Sequence, residues 1–208
     1  MTSEIETRDR IINYARDKFM QIGFSKVTLD EIATELGVSK KTVYKYFPSK
    51  QDLLRAGVQG ALQGVEKNLE RLVMSERPFI EKLVEVMLMI SRNISKLSKK
   101  AEVDLQRFTP ELWKEIDAFR RERLLPKLGA MIARARQEGI FRPDINDQVL
   151  ILMLRHSVHG IMNPEVLSQH SFSPHDALRT IFKVLFEGAL TDEARKNFDL
   201  FEKSFPQS

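Results

Sequence analysis

Between Ser39 and Lys50 the chain gathers side chains that suit a polyanionic partner. Lys40, Lys41, Lys45 and Lys50 are cations, Thr42 carries a hydroxyl and a methyl, and Tyr44 and Tyr46 carry rings with polar tips. Lysine can meet guanine O6 and N7 or a phosphate, while threonine and tyrosine can offer methyl or ring contact to a thymine. To act together these groups need one face of a rigid element. Val43 and Phe47 lie one helical turn apart and can pack inward with Val38, leaving Lys40, Lys41, Tyr44 and Lys45 on the outer side. Ser39 is placed to cap this helix and Pro48 to break it.

The elements that must position that face read clearly. Ile12, Ala15, Phe19 and Ile22 form one stripe of a helix from Arg8 to Ile22, with Gly23 placed to end it. Thr28 and Glu31 make a capping-box pattern, followed by apolar Ile32, Ala33 and Leu36 and a stop at Gly37. Two short amphipathic helices joined by a tight glycine turn are the geometry of a DNA-reading helix-turn-helix. Lone lysine pairs are usually a solvated helix face, but Gly37, Ser39, the two tyrosines, Pro48 and Lys50 at these spacings argue for the DNA reading. Ser49 and Asp52 then cap a fourth helix whose stripe Leu54, Val58, Leu62, Val65, Leu69 and Leu72 runs past what a small DNA-binding unit needs. It is expected to link two domains rigidly.

The rest predicts helices only. Segments 79–97, 110–139, 149–162, 173–188 and 191–201 carry helical apolar spacing, and Pro126 is expected to kink or restart the second of them. The expected fold is all-α: an N-terminal three-helix helix-turn-helix DNA-binding domain at 1–52, linked through helix 4 to a larger helical domain at 53–208. A chain of 208 residues accommodates both. The absence of cysteine excludes disulfides, a thiolate nucleophile and cysteine-ligated zinc. No serine elbow, phosphate-cradling glycine loop or zinc signature is present, so no enzyme activity and no cofactor are expected. His156 and His159 have a metal-compatible spacing, but no acid lies one turn away to complete a site, and no metal is expected. The net charge of +4 permits a polyanionic partner without requiring one. The polar, acidic start from Met1 to Glu6 and the lack of a long apolar run predict a cytoplasmic protein with no membrane partner.

The run from Thr28 to Leu54, with Ala15, Phe19, Gly23 and Phe24 before it, closely resembles the tetracycline-repressor (TetR) family of bacterial transcription regulators. The match covers roughly residues 8 to 57; beyond it, helix order, length and the Gly139 to Asp144 turn are similar to the family. The resemblance implies a homodimeric repressor with a C-terminal domain that binds a small molecule. It places Lys40, Lys41, Thr42 and Tyr44 near base edges or adjacent phosphates. Thr28, Tyr46 and Lys50 would hold the backbone, with Ser39 capping the reading helix. Lys45 stands where the family often has a bulky or aromatic residue, and a cation there favours phosphate.

By the same resemblance the helices at 146–162 and 173–188 pair with their copies. Leu150, Met153, Leu154, Val158, Ile161, Ile181 and Leu185 are the expected dimer contacts. Met87, Phe108, Trp113, Met131 and His156 are the expected lining for a largely apolar or amphipathic effector, from residue types that line adaptable cavities. The leading expectation is a ligand-released repressor on a palindromic operator. The alternative is a DNA-binding regulator with no small-molecule effector, controlled by a protein partner or constitutive. The cationic cluster Arg92, Lys96, Lys99 and Lys100 reads as a solvated helix end, with contact to an anionic effector or to DNA flanks as the alternative.

Overall fold

The computed structural model describes residues 2–95, 104, 107, 109–161 and 164–202. Among them the chain is helical throughout: α1 (Thr2–Ile22), α2 (Leu29–Leu36), α3 (Lys40–Tyr46), α4 (Lys50–Met74), α5 (Phe79–Ser95), α6 (Pro110–Phe119), α7 (Leu125–Gln137), α8 (Asp147–Ile161), α9 (Pro164–Gln169), α10 (Pro174–Ala189) and α11 (Asp192–Glu202). Among the described residues the extended backbone contact is one isolated bridge, between Phe141 and Leu190. Phe108, Met162, Lys96, Lys99 and Lys100 lie outside the described residues.

Two compact units form, one from Met1–Gly64 with Lys96–Ala118 and the other from Val65–Ser95 with Phe119–Ser208. Neither is contiguous in sequence, unlike the expected division at 52/53. The reason lies in α6, whose amphipathic face buries Leu112 and Ile116 in the core that α1, α2, α3 and the start of α4 build from Ile11, Phe19, Ile32, Val43 and Leu53. Helix α4 contributes residues to both units.

In the second unit α10 packs on α5 and α8, α11 packs on α5, and α7 packs on α8. Their core is dense in aromatics: Phe79, Phe141, Phe182 and Phe186 are buried, with Phe79 edge-on to Phe141 at 5.1 Å. Gly139, at φ +73°, closes α7, where a left-handed residue lets Ile140 N–H reach the Ala135 carbonyl at 3.0 Å. The helix restarts at Pro126 as expected, with the proline in the first turn of α7. Between α6 and that restart the chain widens into a π-helical turn at Arg120–Leu124, in which Leu125 N–H reaches back five residues to the Arg120 carbonyl. A proline that cannot donate and whose ring crowds the preceding turn accounts for that widening. Two further elements escape the sequence pattern: α1 starts at Thr2 rather than Arg8, and short α9 follows Pro164, where the pattern had only a helix end.

Candidate DNA-binding surface

The caps anticipated from sequence build the reading head. Thr28 Oγ1 accepts from Glu31 N–H at 3.1 Å while Thr28 N–H donates to Glu31 Oε2 at 2.9 Å, a reciprocal capping box at the start of α2. At its end Gly37 turns left-handed at φ 66°, and Val38 N–H reaches the Ala33 carbonyl at 3.0 Å. Ser39 Oγ accepts from Thr42 N–H at 3.0 Å, which starts α3 two residues after the turn. Phe47 N–H closes α3 on the Val43 carbonyl at 2.9 Å, and Ser49 caps α4 by accepting from Asp52 N–H at 3.1 Å. Every boundary of the motif is thus held by a local hydrogen bond.

Val43 and Phe47 are buried and fix the rotation of α3, so Lys40, Lys41, Tyr44 and Lys45 are exposed and Thr42 and Tyr46 half-exposed. Lys41 has no hydrogen-bond or ion-pair partner among the described residues. Lys40 donates to Asp30 Oδ2 at 2.6 Å and Lys45 to Glu4 Oε1 at 2.7 Å, and these hydrogen bonds raise both lysine pKa values. The Lys45 hydrogen bond in turn lowers the Glu4 pKa. Lys45 also lies 5.6 Å above the Tyr46 ring. Behind this face, Glu35 accepts from Tyr14 at 2.6 Å and from Lys18, and the Lys18 bond is the main cause of its lowered pKa. Arg10 Nη2 donates to the Leu36 carbonyl at 3.2 Å, binding α1 to the end of α2.

Lys50, expected at the DNA backbone, also has partners within the chain. Its Nζ donates to the Phe24 carbonyl at 2.9 Å and sits 4.3 Å from the centre of the Phe24 ring. Burial is the main cause of its lowered pKa, opposed by the charges of Asp104 and Glu31. Lys50 holds the turn after α1, because the Phe24 ring and the Phe24 carbonyl, which also accepts from Val27 N–H at 3.4 Å, lie within reach of its stem. Asp104, itself buried, accepts from Ser25 N–H of that turn at 2.7 Å. Asp104 and the carboxylates Glu4 and Asp30 went unnoticed in the sequence. Asp104 and Glu4 lie 79 and 41 residues from their partners, beyond any local spacing rule.

Of the five expected effector residues, Phe108 lies outside the described residues and the other four divide between the two units. Met87 and Met131 are buried in the second unit's apolar core, Trp113 packs on the core of the first unit, and His156 is exposed, its Nε2 accepting from Arg155 Nη2 at 3.0 Å. Among the expected dimer contacts, Leu150, Leu154 and Ile181 face the protomer's own core, with Val158, Ile161 and Leu185 packed at its edge. Helical periodicity marks an apolar stripe without saying which neighbour covers it. The exposed apolar side of α8 is instead Val149, Leu152 and Met153, at three- and four-residue spacing, with Val184 exposed on neighbouring α10. Of the expected set only Met153 belongs to that side.

A capped helix-turn-helix with an exposed cationic reading helix, followed by a helical unit, defines a DNA-binding regulator. The model of the "Bacterial regulatory proteins, tetR family" matches residues 11–56. The chain is 30% identical to the HTH-type transcriptional regulator RutR of Escherichia coli (strain K12) over 146 residues, covering 69% of this chain and 68% of RutR. It is 29% identical to the uncharacterised HTH-type transcriptional regulator YvaF of Bacillus subtilis (strain 168), covering 83% and 90%. The fold is similar to that of SmeT, repressor of the Stenotrophomonas maltophilia multidrug efflux pump SmeDEF, at TM-score 0.67 and 19% identity over 90% of this chain and 92% of SmeT. SmeT is also solved as a triclosan complex. The chain belongs to the TetR family of transcriptional regulators.

Proposed function

We propose that the protein is a repressor that binds a roughly palindromic operator as a homodimer and is released by a small, largely apolar or amphipathic molecule. The carrying observation is the exposed face of α3, where Lys40, Lys41, Thr42, Tyr44 and Lys45 stand clear of the core on a helix capped at both ends. A single unit of this size covers little DNA, whereas two linked units gain by effective concentration and set half-sites ~34–36 Å apart. The apolar side Val149, Leu152, Met153 and Val184 supports pairing of two copies. SmeT bound to triclosan supports an apolar effector. Helix α4, shared by both units, is the proposed transmitter: ligand favours a population with the reading heads wrongly spaced.

A second reading, a DNA-binding regulator without a small-molecule effector, is favoured by the burial of Met87 and Met131 in apolar core. One experiment separates them. Duplexes selected from a random pool should converge on an inverted repeat, with Thr42→Ala and Tyr44→Ala changing the preferred bases. Triclosan and other amphipathic compounds should then weaken binding to that duplex. Selection without any convergence sinks both readings, and convergence with no response across the compound panel favours the second.

A further inference from the structure

We propose that a cleft in the second unit, between the end of α4, the start of α5 and the end of α7, binds a small monocarboxylate with a short apolar tail. The cleft has a volume of about 140 Å³, and its lining includes Val73, Phe79, Met131 and Lys82, with Arg77 and Arg134 beside them. Lys82 is only 4% exposed. Its Nζ donates to the Val73 carbonyl at 3.3 Å, the one bond it makes among the described residues. An ammonium has three donors, and burying it with one long bond is unfavourable unless something else accepts.

Glu76 and Glu138 also line the cleft, and the carboxylates there are paired with its arginines rather than with Lys82. Glu81 accepts from Arg77 at 3.1 Å, and Glu76 and Glu138 accept from Arg134 at 3.2 and 3.1 Å. None pairs with Lys82, which leaves its buried ammonium under-bonded. Helix α5, 17 residues long, begins at Phe79 in the cleft wall, and the positive end of its dipole also favours an anion there. A carboxylate can accept from Lys82, and its second oxygen can meet Arg77 or Arg134 by sharing or displacing the glutamate paired there. Val73, Phe79 and Met131 suit a hydrocarbon tail rather than a bare inorganic anion. The volume is below the ~300–1,000 Å³ of pockets for drug-sized ligands, which limits the tail to a few carbons. This site needs neither Phe108 nor His156 and does not rest on the apolar-effector reading.

The test uses the full chain with sodium pentanoate as probe and pentan-1-ol as its uncharged counterpart. With the methionine methyl groups labelled and the Met131 resonance assigned through Met131→Leu, pentanoate should move that resonance saturably while pentan-1-ol at equal concentration does not. Lys82→Met conserves volume and removes the under-bonded charge, so it should melt no lower than the parent and bind pentanoate about tenfold more weakly or worse. The proposal is overturned if pentanoate leaves the Met131 resonance in place, if pentan-1-ol moves it equally, or if a folded Lys82→Met binds pentanoate as the parent does. Should Lys82→Met fail to fold, the methyl titration of the parent decides alone.

Discussion

Glu4 Oε1 lies 2.7 Å from Lys45 Nζ, so the first turn of α1 occupies a cation of the reading helix. DNA must displace that carboxylate or tolerate it beside a phosphate. Glu4→Gln should therefore raise affinity for DNA, most at low salt where exposed charges are least screened. Lys45→Ala should weaken binding to all sequences alike and reduce the salt slope by about 1. Anisotropy titrations across a salt series measure both. Equal affinity of Glu4→Gln and the parent at low salt would show that the pair does not compete with DNA.

Lys50 makes a different prediction from its sequence position. Bonded to the Phe24 carbonyl and stacked on that ring, it should act through stability rather than phosphate contact. Lys50→Met removes a charge-assisted bond and a cation–π contact together with the burial cost of the ammonium, so it should lower unfolding free energy by less than the ~1–3 kcal/mol those contacts alone would give. The salt slope of DNA binding should stay as in the parent. Because the folded-state pKa of Lys50 is depressed, its burial cost is present at neutral pH and is relieved as pH rises through the folded value toward the unfolded one. Denaturant melts of parent and variant across the alkaline range report this.

On α4, Glu66 accepts from Arg123 of the π-helical turn at 2.9 Å and from Lys127 at 3.1 Å, and the Arg123 bond is the largest cause of its lowered pKa. A depressed carboxylate contributes stability that is complete above the ordinary value of 4.5 and is lost as pH falls through the folded value. Glu66→Gln should accordingly flatten the acid limb of the stability profile below that pH. An acid limb identical to the parent's would mean that the cluster contributes nothing to folding.

The two apolar sides of α8 should separate in mutation. Met153→Glu, or Val184→Glu on α10, places a charge on the exposed side and should shift sedimentation toward monomer while leaving the helical signal intact. Leu154→Ala, inside the core, should instead cost about 2–5 kcal/mol of folding stability. Monomer in the parent at micromolar concentration would remove the basis for the proposed pairing.

How much was legible in advance follows from range. The capping box at Thr28, the glycine turn at Gly37, the Ser39 cap and the inward Val43 and Phe47 all depend on neighbours within four residues, and sequence spacing reports those directly. The same locality made the helix-turn-helix and the all-α class readable. Tertiary structure alone decided that α6 joins the first unit's core, that Lys50 turns onto Phe24, and that Leu150 and Leu154 face inward while Leu152 and Met153 face out. Helical periodicity gives each helix its apolar faces but no partner for them. Which neighbour covers a face, and which distant carboxylate reaches a lysine, is set only when the whole chain packs.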